Sequence, residues 1–141
     1  MNEIILQKQV QDFVQHNLKS DVHKLALKGS PFKDINIQEL IGQIEAKRKC
    51  EKKLPSWFHA SNIYYPSKIN IEQTSSEFTA RHKSHLIKGE SIIDLTGGFG
   101  VDDIAFSKQF KKVTHCELNV GLSKIVSHNL KELGVHNIDL V

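Results

Sequence analysis

Residues 91–103 read SIIDLTGGFGVDD, an apolar stretch that runs into a glycine-rich turn and then into a helix opening on acids. Nothing else in the chain restricts its fold so tightly. Reversing a chain from strand to helix needs residues without a Cβ, and Gly97, Gly98 and Gly100 supply them. SIIDL predicts a short strand buried on both faces, as in a parallel sheet. VDDIAFSKQF predicts a helix with acids in its first turn and lysines after its end. KVTHCEL predicts a second strand. Leu122, Ile125, Val126, Leu130 and Leu133 then mark one face of an amphipathic helix closed by Gly134, and HNIDLV opens a third strand. Strand, helix, strand, helix, strand is the opening of a doubly wound parallel α/β sheet. Three strands make half of such a sheet, so these 141 residues are expected to be part of a longer protein.

The first half reads as helical. Val10, Phe13, Val14 and Leu18 recur at helical spacing, and Ser20-Asp21 offers a cap for a short helix that Gly29 ends. Asn36 and Glu39 have the spacing of a capping box before a helix with Ile37, Leu40, Ile41 and Ile44 on one face, stopped by Pro55. Residues 55–72 read as an irregular connector carrying Trp57, Phe58, Tyr64 and Tyr65. Those rings are expected to glue the two halves together, base stacking being the alternative. Thr74-Ser75-Ser76-Glu77 reads as a second capping box, opening a helix through Phe78, His82 and Leu86. The expected division is a helical domain with its connector over 1–72 and the start of the α/β sheet over 73–141.

Composition excludes some classes. No apolar run approaches the roughly 18–20 residues that cross a bilayer. The amino terminus lacks the order of a secretion signal. Cys50 and Cys116 stand in no metal-ligand spacing, and reduced thiols in the cytoplasm are the expectation. His82, His85, His115, His128 and His136 show no ligand pattern either, and surface or buried structural roles are expected for them. The net charge is +3, and all of it lies in residues 1–60, where 10 Lys/Arg face 7 Asp/Glu, against 9 and 9 beyond. Much of the excess is KRKCEKK, residues 47–53. It reads either as a solvated helix end whose lysines suit the helix dipole or as a contact for an anionic partner.

Asp94 stands at the tip of the first strand, where nucleotide-binding loops meet a phosphate. A dinucleotide fingerprint wants G-x-G-x-x-G, and Gly98-Phe99-Gly100-Val101-Asp102-Asp103 fails at its third glycine. Two charges about 4 Å apart interact by about 4 kcal/mol at an effective dielectric of 20, more than a helix dipole offsets. Asp94, Asp102 and Asp103 would therefore repel a diphosphate and attract a cationic ligand. No Gly-Lys-Ser/Thr follows the glycines, which excludes a P-loop. Glu117, at the end of the second strand, can accept both hydroxyls of a ribose. Plainer roles are a strand-end cap for Asp94, a surface acid for Glu117, and helix first-turn acids for Asp102 and Asp103.

At these residues the chain resembles the class I methyltransferases that use S-adenosylmethionine: DLTGGFGVD is similar to their first motif and HCELN to the acidic end of their second strand. LALKGSPF, QIEAKRKCEKKLPSWF and NIYYPSKINIEQTSSE extend the likeness to bacterial members carrying a C-terminal THUMP-like domain, which are loosely grouped with RNA methyltransferases. The resemblance implies a helical domain followed by the first strands of a truncated Rossmann-like class I methyltransferase sheet. It implies that Asp94, Thr96, Gly97, Gly98, Gly100 and Asp102 line the methionine end of the cofactor, and that Glu117 holds its ribose. A more distant likeness to the cap guanine-N2 methyltransferases suggests that Thr74 helps to close the pocket. The family's Asp/Asn-Pro-Pro-aromatic motif is absent from the sequence, so no catalytic residue is assigned, and these residues alone are expected neither to transfer methyl groups nor to bind the cofactor tightly. The expected partner is RNA, through Lys47, Arg48, Lys49, Lys52 and Lys53. A helical nucleic-acid-binding module on a non-catalytic scaffold is the alternative, and a dehydrogenase-like domain a third reading that the acids oppose.

Overall fold

The computed structural model describes residues 1–141. A short 3-10 helix, Glu3–Leu6, leads into α1 (Lys8–His16), α2 (Val22–Lys28), α3 (Ile37–Lys53), α4 (Pro55–His59), α5 (Lys68–Gln73) and α6 (Glu77–Leu86). There follow β1 (Ser91–Asp94), α7 (Val101–Ser107), β2 (Lys112–His115), α8 (Val120–Glu132) and β3 (Ile138–Leu140). The three strands are parallel in the order β1-β2-β3, with Asp94 level with His115 and His115 with Leu140. This is a mixed α/β fold.

The local signals that set helix ends act as expected at two places. Asp21 accepts from the His23 N–H to open α2, and Gly29 ends it at φ +77°. Asn36 and Glu39 form a capping box at α3: Asn36 Oδ1 accepts from the Gln38 N–H, and Glu39 Oε2 accepts from the Asn36 N–H. One otherwise free donor is thereby satisfied at the start of α2 and two at the start of α3. Pro55, which cannot continue α3, sits in the first turn of α4, where its missing N–H costs nothing.

The second box is different. Ser76, not Thr74, caps α6, its Oγ accepting from the Thr79 N–H, while Thr74 terminates α5. Glu77 turns away and accepts from the N–H and hydroxyl of Ser56 at the start of α4. Phe78 and Leu86 of α6 are exposed, and the helix buries Ala80 and Ser84 instead. Small residues let α6 lie close along α7, and that approach decides which side turns inward.

The connector is less irregular than its sequence suggests, since α4 and α5 occupy most of it. Its middle is clamped from both sides. Gln43 of α3 accepts from the Tyr65 N–H and donates to the Tyr65 carbonyl at 2.7 Å. Asn129 of α8 does the same to Tyr64, at 3.0 and 2.9 Å. The aromatic residues are the glue: Trp57 and Tyr65 are buried with Ala46, Cys50, Phe99, Val101 and Val126 in one core that crosses residues 72 and 73. The helical and α/β halves thus share their largest core. Burial disfavours ionisation there, pushing the Cys50 thiol up to about 12 and the Tyr65 phenol upward.

The expectation of a first strand buried on both faces fails. Ile92 packs towards Phe106, Phe110 and Val113, but Ile93 and the following Leu95 are exposed. The helices α7 and α8 cover one face of the sheet, and none of these residues covers the other.

Candidate functional site: the glycine loop and the carboxyl edge of the sheet

The loop after β1 is shaped first by Asp94. Its Oδ1 accepts from the Thr96 N–H at 2.8 Å and from the Thr96 hydroxyl at 3.3 Å, holding the turn that leads into the glycines. The backbone is stitched to β2 on both sides, the Cys116 N–H donating to the Asp94 carbonyl and the Gly97 N–H to the Cys116 carbonyl.

Gly97 is demanded by what lies under it. A Cβ there would stand 2.1 Å from Nδ1 of His115, so only hydrogen fits. His115 is fully buried and its Nδ1 meets Oδ2 of Asp103 at 2.6 Å. The last residue of β2 and the first turn of α7 thus form the floor of the loop. Burial pushes the Asp103 carboxyl above its ordinary value, against the pull of the His115 hydrogen bond, and the charges of Asp94 and Asp102 push the same way. Gly98 and Gly100 bend the chain through φ +53° and +77°, the left-handed region. Phe99, between them, turns into the shared core and meets Trp57 at 6.0 Å between ring centres.

The acids do not act as one cluster. Asp102 is neutralised: its Oδ2 lies 2.8 Å from Nζ of Lys83 and accepts from the Ser75 hydroxyl at 3.0 Å. Lys83 also donates to Ser75, closing a triangle that ties α6 to α7. With Asp102 paired and Asp103 buried against His115, the repulsion expected of three loop acids reduces to that of Asp94. The segment before α6 does reach the helix that opens from the loop, but through Ser75 rather than Thr74. No side-chain hydrogen bond engages Thr74.

Two carboxylates remain without a cationic partner at the carboxyl edge: Asp94, ending β1, and Glu117, two residues beyond β2. Glu117 is half-buried and accepts only from the Asn119 N–H, at 2.7 Å. Beside it stands a feature the sequence reading passed over. Leu118 is fully exposed, and Leu95 and Val120 are largely exposed, lining the same edge with apolar surface. The signal was available in the dipeptide Glu117-Leu118, since an apolar residue next to a loop acid has no reason to face water. Ligands of open α/β sheets bind along this edge, outside the carboxyl ends of the strands.

The basic run is mostly consumed within the fold, which corrects its reading as an exposed contact. Lys47 is only 7% exposed, with its ammonium 5.8 Å from the centre of the Phe58 ring, and burial lowers its pKa. Arg48 donates to the carbonyls of Asn17, Leu18 and Ser20, tying the α1–α2 turn to α3. Lys49 pairs with Glu72 at 3.0 Å, and Lys53 donates to the carbonyls of Ile71 and Glu72. Lys52 alone is left without such a partner.

No protein-family model matches this sequence, and no curated protein is similar enough to count as a relative. Among solved structures, a protein of Porphyromonas gingivalis W83, described provisionally as a methyltransferase, aligns with 99% of this chain at 27% identity and a TM-score of 0.75. The fold is methyltransferase-like. The chain spans 35% of that protein's length. An rRNA methylase of Streptococcus thermophilus matches 45% of this chain and 39% of its own at 23% identity, with a TM-score of 0.40, too low to bear on function. Within the methyltransferase-like fold, the glycine loop, Asp94 and Glu117 form the candidate site. No helix is long and apolar enough to cross a membrane.

Proposed function

We propose that this chain supplies the cofactor-binding part of a class I methyltransferase that uses S-adenosylmethionine and acts on RNA. The observation that carries the reading is that Asp94 and Glu117 stand at or just beyond the carboxyl ends of adjacent parallel strands, beside the glycine loop that follows Asp94, neither paired with a cation. The donor set fits the cofactor. Carboxylates accept from an ammonium and from ribose hydroxyls, Gly98 keeps the backbone clear of a Cβ where a ligand comes close, and Leu118 offers an apolar face to a purine. S-adenosylmethionine supplies a methyl group on a sulfonium, an activated leaving group. The protein's task is then mainly to hold that group and an acceptor in line.

In this reading Asp94 has two tasks, shaping the turn through Thr96 and facing positive charge. Glu117 has one free oxygen for the ribose and one held by the Asn119 N–H. Asp102, assigned to the cofactor from the sequence, instead holds α6 against the loop helix. RNA as the acceptor rests on the resemblance of residues 25–32, 43–58 and 62–77 to bacterial members with a C-terminal THUMP-like domain, which are loosely grouped with RNA methyltransferases.

The test is calorimetric titration of the full chain with S-adenosylmethionine, S-adenosylhomocysteine and NAD. Weak binding of the first two and none of the third is expected, and Asp94→Ala should abolish it. Preference for NAD would defeat the reading.

A further inference from the structure

A cavity of about 750 Å³ opens away from the carboxyl edge, between α4, α6 and α7, where the helical half meets the α/β half. Its size lies within the range of about 300–1,000 Å³ usual for small-molecule sites. Part of the lining is apolar, with Ile104, Ala105, Leu133 and Val135 beside the almost fully buried Trp57 and Val101, and the rest is polar or charged. Its charge is one-sided. Lys52, Arg81 and Lys108 line it without any carboxylate partner, and Lys53 adds a fourth cation already bound to backbone carbonyls. The one acid in the lining is Glu77, whose two oxygens are both occupied by Ser56. Trp57 is 2% exposed, and its indole N–H has no partner, which is rare for a buried donor.

We infer that this cavity binds a nucleotide unit, a planar heterocycle bearing phosphate. The apolar part of the lining suits the flat ring, and the three cations without carboxylate partners suit the phosphate, Arg81 with a guanidinium fork that can take two oxygens at once. A ring nitrogen or carbonyl oxygen would give the Trp57 N–H its missing acceptor after a small shift of the indole. A simple fatty chain would leave the cations unanswered, and an inorganic anion would leave the apolar part of the lining bare. The site also replaces the surface that the basic run of α3 was expected to provide, since of those five residues only Lys52 and Lys53 reach it. It rests on the RNA reading only in so far as the nucleotide belongs to a polymer, and it shares neither Asp94 nor Glu117 with the cofactor site.

The sole tryptophan of the chain makes the test direct. Trp57 fluorescence is followed while the full chain is titrated with adenosine monophosphate, with single-stranded deca-adenylate and with inorganic phosphate. Anisotropy of end-labelled deca-adenylate gives a second readout that does not depend on the indole. Saturable binding is expected, lost at least tenfold in the pair Arg81→Glu, Lys108→Glu and kept in Lys24→Glu, a charge reversal outside the cavity. Tighter binding of the decamer, with a log–log salt slope of about −2 for three cations, identifies a polynucleotide as the source; equal binding of the monophosphate identifies a free nucleotide. No saturable binding in either readout overturns the inference, as does binding that survives the double reversal. Equal effects of inorganic phosphate remove the heterocycle from it. Failure of the S-adenosylmethionine titration leaves it standing, because the two sites have separate residues.

Discussion

His115 Nδ1 and Asp103 Oδ2 lie 2.6 Å apart, both buried, with the ring of His115 directly under Gly97. This pair joins the end of β2 to the first turn of α7 and gives the glycine loop its floor. Asp103 Oδ1 and His115 Nε2 have no partner, so neither group can be removed without leaving the other almost wholly unsatisfied. His115→Ala is expected to cost about 3–5 kcal/mol, the range for breaking a buried pair from one side, read as a lower urea midpoint with unchanged slope.

The same pair gives a pH signature. The folded-state pKa of Asp103 is raised above its ordinary 3.8, so between those values the folded state holds the proton more tightly than the unfolded chain. Stability from this group is therefore present below 3.8 and is lost as pH rises through the folded value. Asp103→Asn cannot ionise. Its stability relative to the native protein should shift in the variant's favour as pH is raised from about 4 towards neutrality, measured by urea unfolding at each pH. A constant difference across that window would refute the assignment.

The loop glycines should rank by mechanism. Gly97→Ala drives a Cβ into the His115 ring at 2.1 Å, within a backbone stitched to β2 on both sides, and is expected to cost several kcal/mol or prevent folding. Gly98→Ala meets nothing nearer than 3.8 Å but adopts φ +53°, for a cost of about 1–2 kcal/mol. Thermal melting of the two variants decides the order.

Glu117→Gln separates binding from folding. The side chain makes one hydrogen bond within the protein, which the amide oxygen of Gln can still accept. Melting should change little, while S-adenosylmethionine affinity falls roughly tenfold to a hundredfold, the loss of about 1.5–3 kcal/mol typical of hydrogen bonds to a charged group. Unchanged affinity by calorimetry would take Glu117 out of the site.

Lys47 and Arg48 are neighbours with opposite expected outcomes. Lys47→Met places an apolar chain where a buried ammonium stood and should leave stability at pH 7 unchanged or raised by about 1 kcal/mol. Arg48→Ala releases three backbone carbonyls of the α1–α2 turn and should cost about 2–3 kcal/mol. Urea unfolding measures both.

Signals confined to a few consecutive residues were legible. Asp21, Asn36 with Glu39, and the β1–glycine–α7 turn act where the sequence puts them, because the donors and acceptors involved lie within about four residues of one another. The box at Thr74–Glu77 misled for the opposite reason. Glu77 had a better-placed pair of donors on Ser56, 21 residues away, and the cap moved to Ser76.

By itself, then, the sequence determined the strand–helix rhythm after residue 90, the glycine turn, and the two acids that end adjacent strands. Only the tertiary structure decided the fate of long charged side chains. KRKCEKK looks like an exposed basic surface until Arg48 reaches Ser20, Lys49 reaches Glu72 and Lys47 is covered by Phe58. Likewise Asp102 and Asp103, adjacent in sequence, end on Lys83 and His115 respectively. The physical reason is reach. A backbone cap spans one turn of helix, whereas a lysine, arginine or carboxylate takes the partner that packing brings to it, and packing is settled by residues far away along the chain.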